Sequence, residues 1–411
     1  MGRGRMSARF LALGLGLLLL VGMELLTRLI LGPPSEQLFA EVPAASGELT
    51  RLEGDTLELL YHGASEGLIP VRSSTRRPRV VWLGGSSVHG GNPGMPVRRE
   101  AAHIAGRMLR AETINLAGPG LDSGHHLSLL PDILALSPAA VVIYAGHNDL
   151  GNEVLMARFS GSRFLRTARI RWVFLHSRMF TAMEAMIRQR SALRLPDPSM
   201  HPEFEIDDAI RAQIHGSFRQ RIGLLVDALQ EAGVVVVLAT PTSNPIAPSL
   251  VWRCPEQLAK LGLQGRPAEA FPVSDIPRED VAALLAQQDC RDLRWILARL
   301  DQDFETLEQL RDTDPLPLRA DRALTQIVRT VAAEHGALLA DSSAYFHQLG
   351  GGIEPPTLFD DTMHLSEAGH QALANSVAEA LSEALQRRSA PLSPIRLPPL
   401  DLAACGDKPC R

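Results

Sequence analysis

The chain has 411 residues, 45% of them hydrophobic, enough to bury a substantial core and, by length alone, to make two or three domains. Its 46 acidic against 41 basic side chains leave a net charge of -5, and the arginines are scattered, so no basic field exists for nucleic acid. Lys260 and Lys408 are the two lysines, which removes most candidates for Schiff-base or phosphate-binding lysine chemistry.

The first element is an apolar run. Arg3, Arg5 and Arg9 precede "FLALGLGLLLLVGM" (10–23), and the run continues past Glu24 and Arg28 to Leu31. The uncharged part has the length of a signal-peptide core, whereas the whole span makes a helix about 33 Å long, enough to cross a bilayer. No A-x-A-like site follows closely, no lipobox cysteine is present, and Glu24 and Arg28 can pair at i,i+4. The expectation is one uncleaved N-terminal transmembrane helix within 1–32, rather than a cleaved signal or a buried soluble helix. The basic end stays in the cytoplasm, so the rest of this single-pass cell-membrane protein faces outward, periplasmic or extracellular.

Residues 33–77 carry Pro, Gly, Ser and charge with weak periodicity and read as a stalk and irregular lead-in. From Arg79, β-rich runs recur at 79–84, 112–117, 139–146, 234–240 and 337–341. Helical periodicity separates them, near 97–110, 124–136, 206–232, 320–335 and 366–387, with Gly233 and Gly336 closing two helices ahead of strands. Apolar strands alternating with helices predict one α/β domain over 78–388, built on a parallel sheet covered on both faces. Two spacings are too long for simple crossovers, so 150–205 and 241–318 are insertions, and 389–411 is a Pro-rich tail. Of four cysteines, proximity pairs Cys254 with Cys290 and Cys405 with Cys410, free thiols being the alternative.

The stretch "VVWLGGSSVHGG" (80–91) runs from a strand into glycines and serines. Gly85 and Gly90 have P-loop spacing, but Gly91 and Asn92 stand where Lys and Ser/Thr belong, and no G-x-G follows, so a phosphate cradle is excluded. A plain structural turn stays open on this stretch alone. Three more stretches follow strands: "NLAGPG" (115–120) at the end of the second, "YAGHND" (144–149) at the end of the third and "DDTMHLSEAGH" (360–370) beyond the fifth. In a parallel sheet they converge on one edge.

Together these four motifs resemble the GDSL hydrolases, or SGNH superfamily. "LGGSSVHG" is similar to the G-D-S-L block, with Ser86 on the nucleophile; Gly120 falls on the block II glycine; Asn148 matches the block III asparagine; Asp361 and His364 match the D-x-x-H of block V. The resemblance implies a flavodoxin-like three-layer α/β/α fold with a five-stranded parallel sheet, a serine hydrolase and no cofactor or metal. It departs from the pattern at Gly85, where the family has aspartate, and at Ala117, often glycine.

The chemistry fits these residue types. A serine hydroxyl needs a base, here His364, and Asp361 can fix that imidazole's tautomer. Backbone N–H groups of Ser86 and Gly120 and the Asn148 amide supply oxyanion donors, and glycine at 120 allows a close backbone approach. Ser87 is a rival nucleophile that strand alternation disfavours. His89, His125, His126, His147 and His364 all lie near the same edge, but their spacing argues against metal. The expected function is hydrolysis of an ester, on a small molecule, a lipid or an O-acylated glycan, through an acyl-enzyme. An O-acyltransferase with the same triad and a non-catalytic binding protein are the alternatives, and nothing in the sequence names a protein partner.

Overall fold

The computed structural model describes residues 21–26, 29, 50–53, 56–59, 68–70, 77–89, 100–152, 206, 208–249, 252–263, 273–314, 317 and 319–388. Its strands in chain order are β1 (Thr50–Glu53), β2 (Thr56–Leu59), β3 (Leu68–Pro70), β4 (Arg79–Gly84), β5 (Glu112–Asn115), β6 (Ala140–Tyr144), β7 (Val235–Ala239) and β8 (Leu338–Ala340). The last five form one sheet in the order β5-β4-β6-β7-β8, every pair parallel. Counted within the sheet this is 2-1-3-4-5, the flavodoxin-like order. Runs such as "AVVIY" are buried at every position because helices cover both faces, which is why they read as continuous rather than alternating.

Right-handed crossovers decide which helix covers which face. The chain leaves β4 toward β5, then returns past β4 to β6, and this reversal puts helix Ala101–Leu109 opposite the later crossovers. It packs with helix Glu367–Arg388 over Val80, Trp82, Val142 and Tyr144. Helices Asp208–Glu231 and Arg322–His335 pack together and on β7. By strand alternation their face receives Val81, Leu83, Val141 and Ile143, all buried. Gly233 and Gly336 end these two helices with φ of 75° and 65°, the left-handed caps their positions predicted.

Three features differ from the sequence reading. The helix expected over 124–136 is two, Ser123–Ser128 and Leu130–Ala135, because Pro131 stands in the second one's first turn and has no N–H to continue the first. Residues 33–77 contain an antiparallel sheet, β1-β2-β3, in which Arg51 faces Glu58 and Leu57 faces Ile69. The 241–318 insertion holds helices Pro255–Lys260, Arg278–Gln287, Arg291–Asp301 and Phe304–Asp312 around a core of its own, including Leu258, Val281, Leu293, Trp295 and Leu307. Cys254 and Cys290 are joined across it in a disulfide, their Cα atoms 6.2 Å apart. Of the 150–205 insertion only 150–152 are described, at the end of a helical stretch begun at 147, and the tail with Cys405 and Cys410 lies outside the described residues.

By compactness the chain divides into two units, Met1–Glu41 with Phe159–Met200, and Val42–Arg158 with His201–Arg411. All strands belong to the second. In the first, 21–26 and 29 are described, all helical, with Val21, Met23, Leu25, Leu26 and Leu29 exposed. Among the described residues no helix is long and apolar enough to cross a membrane. The expected 10–31 span lies mostly outside them.

Candidate active site

β4 runs straight into a short helix, Ser86–His89, through a corner that only glycine fits: a Cβ on Gly84 would overlap Val88 and the Tyr144 carbonyl. This corner puts Ser86, half-buried, at the carboxyl end of the sheet. Far along the chain, an antiparallel bridge between Phe359 and Leu365 pinches off a tight loop, closed by the Asp360 N–H donating to the His364 carbonyl at 2.8 Å. That loop presents Asp361 and His364.

The three side chains are in line. His364 Nε2 lies 2.8 Å from Ser86 Oγ, and His364 Nδ1 lies 2.6 Å from Asp361 Oδ2. A carboxylate can only accept, so Nδ1 carries the proton and Nε2 accepts from the Ser86 hydroxyl. The other Asp361 oxygen accepts the backbone N–H groups of Met363 and His364, at 2.9 and 2.8 Å. Burial works to lower the His364 pKa, but the hydrogen bond and charge of Asp361 outweigh it and raise the imidazole above its ordinary 6.5. Burial works to raise Asp361, and the His364 contacts outweigh it and lower the carboxyl below its ordinary 3.8.

The donors expected for an oxyanion lie beyond the neighbouring strand ends, the Asn148 amide standing beside Gly85. Ser86 begins its helix, where a backbone N–H has no intrahelical acceptor. Asn148, after β6, donates one amide hydrogen to the Leu121 carbonyl at 2.8 Å, which orients the group and leaves its second N–H for an incoming oxygen. Gly120, after β5, has φ +73° and open space where a Cβ would be. Left-handed backbone, not crowding, is therefore what calls for glycine there, correcting the sequence argument. Asn152, which the motifs did not single out, steadies this turn by donating to the Gly120 carbonyl and to Asp122, each at 2.8 Å.

Gly85 gains a physical reason. A Cβ there would overlap the Asn148 side-chain amide, so an aspartate at 85 would have to displace that amide. The corner is held instead by the Gly85 carbonyl, which accepts from Val88 and His89 at 3.3 and 3.2 Å.

Ser87 points inward and is buried. Its hydroxyl lies 3.3 Å from His147 Nδ1, and His147 Nε2 donates to the Thr242 carbonyl at 2.8 Å. The second bond fixes the proton on Nε2, so Nδ1 accepts from Ser87. Burial, above all, pushes His147 down to about 4 and keeps it neutral. The adjacent serines thus have separate histidines, one at the surface and one in the core. The histidines considered as metal ligands are divided among different partners: His125 pairs with Asp122 at 2.8 Å, while His126 is buried and lowered to about 4 chiefly by that burial. Among the described residues, the three ligand-type side chains that do gather are Cys254, Cys290 and Asp292, and the two sulfurs are already bonded to each other.

No family model matches the chain, and no curated protein matches it. Solved structures do. An alpha/beta hydrolase from the metagenome of Lake Arreo, Spain, is similar at TM-score 0.37 and 15% identity over 75% of this chain and 96% of that one. An acetylxylan esterase of Geobacillus stearothermophilus, solved as a catalytic mutant, is similar at TM-score 0.36 and 13% identity, over 78% and 97%. A Parabacteroides merdae protein provisionally described as a GDSL-like lipase is similar at TM-score 0.37 and 11% identity, over 74% and 95%. At such TM-scores the likeness decides no chemistry, which rests on the side chains themselves. The solved structures similar to this chain include GDSL and SGNH hydrolases.

Proposed function

We propose that the protein is an SGNH-type serine hydrolase that cleaves an ester through an acyl-enzyme. The observation that carries this reading is the unbroken line Ser86–His364–Asp361, at 2.8 and 2.6 Å, on the carboxyl edge of a parallel sheet. In the proposed reaction Ser86 Oγ attacks the acyl carbonyl carbon while its proton passes to His364 Nε2. The oxyanion that forms accepts hydrogen bonds from the backbone of Ser86 and Gly120 and from the Asn148 amide, each such donor being worth roughly 100- to 1000-fold in turnover. His364 then protonates the departing alkoxide; later it takes a proton from the water that attacks the acyl carbon and returns it to Ser86 Oγ as the Oγ–acyl bond breaks, releasing the acid. Asp361 steadies the imidazolium formed at each stage. The substrate class is an acyl ester on a small molecule, a lipid or a glycan.

The location is proposed with the function. Three arginines before an apolar run support an N-terminal anchor, and a disulfide in the 241–318 insertion suits an oxidising, extracytoplasmic setting.

The test is fluorophosphonate labelling of the full-length protein in detergent, read by intact mass. Labelling is expected in wild type and Ser87→Ala, absent in Ser86→Ala and much reduced in His364→Ala. A folded wild type that forms no adduct, at probe levels that label another serine hydrolase, overturns the reading and turns attention to a binding role. Product analysis with an added alcohol then separates hydrolysis from acyl transfer.

A further inference from the structure

The loop that carries Asp361 and His364 is gripped from outside the motifs. Asn244, five residues past β7, donates its backbone N–H to the Thr362 carbonyl at 3.0 Å and its side-chain amide to the Asp361 carbonyl, also at 3.0 Å. The amide oxygen accepts from the Ile246 N–H at 3.2 Å, which fixes its orientation. The Asn244 carbonyl in turn accepts from Arg319 Nη1 at 2.8 Å, and Arg319 Nη2 donates to the Ala247 carbonyl at 3.0 Å. Arg319 is 5% exposed. Burial lowers its pKa to about 10, so it remains charged near neutrality.

These bonds complete a circuit. From Ser86 it runs through His364 and Asp361 to Asn244, along the chain to Thr242, across to His147, and back through Ser87 to Ser86. The circuit matters because the Asp361 side chain is 50% exposed. Water competes for that carboxylate, whose described partners besides His364 Nδ1 are the Met363 and His364 N–H groups of its own loop. Its placement depends on how firmly its backbone is held, and Asn244 bonds the carbonyls of both Asp361 and Thr362.

We infer that Asn244 is a positioning residue for the triad, that it aligns the Asp361 carboxylate on His364 Nδ1, and that Arg319 fixes Asn244 in turn. The inference rests on the proposed function. It extends the site into the 241–249 segment, the root of the insertion, and so ties the insertion's integrity to the reactivity of Ser86.

Among the described residues, four charged or titratable groups act on His364 or are acted on by it. Asp361 and Asp360 share its loop, His147 approaches from the end of β6, and His370 from helix Glu367–Arg388. Chiefly through burial, His147 and His370 lie at about 4 and about 3, so neither titrates near neutrality.

The experiment measures fluorophosphonate inactivation of the full-length protein across pH for wild type, Asn244→Ala, Arg319→Met and Arg319→Lys. The His364 titration is followed by NMR with carbon-labelled histidine. Asn244→Ala is expected to slow inactivation by about 10- to 100-fold, the scale of a small misplacement of a catalytic group. It should also move the His364 midpoint down, because the imidazole loses part of its carboxylate. Arg319→Met should do the same more weakly, and Arg319→Lys, which keeps one donor, should recover part of the rate. A residue that only supports the fold would lower thermal stability and leave the midpoint of the folded molecules unchanged. Wild-type rate and midpoint in Asn244→Ala overturn the inference. Should Asn244→Ala fail to fold, the Arg319 pair decides by the same criteria. If wild type folds but forms no adduct, the function reading fails, and the NMR midpoint still tests the contact by itself.

Discussion

In the proposed mechanism His364 sets the pH at which Ser86 reacts. The imidazole must be neutral to take the serine proton, and Asp361 raises its pKa above 6.5, so labelling should climb with pH through a midpoint on the alkaline side of that value. Asp361→Asn should shift the midpoint down and slow the reaction; a pH-rate series on both proteins reads both effects. The pair bears on stability with the signs separated. His364's raised pKa favours the fold below 6.5 and that contribution is lost as pH rises through the raised value. Asp361's lowered pKa favours it above 3.8 and that contribution is lost as pH falls through the lowered value. At position 85 the expectation is counterintuitive: Gly85→Asp would create the G-D-S that this stretch resembles, yet under the proposed mechanism it should cut labelling by about 100-fold or more, since it displaces the Asn148 amide. Labelling rate beside a thermal scan separates this from misfolding. The stretches holding Ser86, Gly120 and Asn148 stood out because each follows a strand end closely, whereas Asp361 and His364 lie well past β8, beyond helix Ser342–Leu349, and stood out by their D-x-x-H spacing. Asn244 did not, because its bond to Asp361 spans 117 positions and leaves no local pattern.

Among elements, the 241–318 insertion has a core of its own and is rooted at the carboxyl edge of the sheet. Its disulfide closes a loop of 36 positions, and chain entropy alone assigns such a closure about 3–4 kcal/mol. The Cys254→Ala, Cys290→Ala double variant should therefore lose stability on that order in denaturant titration, and dithiothreitol should lower the temperature at which wild-type labelling stops. A second joint lies where Glu354 meets the core. Burial, above all, raises its carboxyl to about 7, against the pull of Arg311, whose Nη1 stands 3.6 Å away. A raised carboxyl weakens the fold progressively as pH climbs from about 4.5 through about 7. Glu354→Gln should then gain thermal stability over wild type at pH 8 and differ little at pH 5. The pairing of Cys254 with Cys290 was readable from spacing. The break at Leu129 was visible in hindsight in Pro131, but helical periodicity on both sides concealed it.

At the scale of the molecule, the five strands followed from apolar runs separated by helices, because a sheet buried on both faces leaves an unmistakable composition, whereas their flavodoxin-like arrangement was implied only by the family resemblance. The β1-β2-β3 sheet was missed for the opposite reason: strands of three and four residues are too short for periodicity to register. If the N-terminal run anchors the protein with its arginines inside, added protease should digest everything after the span in intact spheroplasts, and replacing Arg3, Arg5 and Arg9 with glutamate should reduce that exposure.

Ser86 and His364 are separated by 278 positions, with four of the five sheet strands and the whole 241–318 insertion between them. On the proposed mechanism the serine emerges early during synthesis and stays an ordinary alcohol until the loop ahead of helix Glu367–Arg388 has folded. The chain therefore carries no reactive nucleophile while it is incomplete, and acquisition of reactivity reports the completion of folding. A truncated or stalled product is chemically silent, whatever esters surround it.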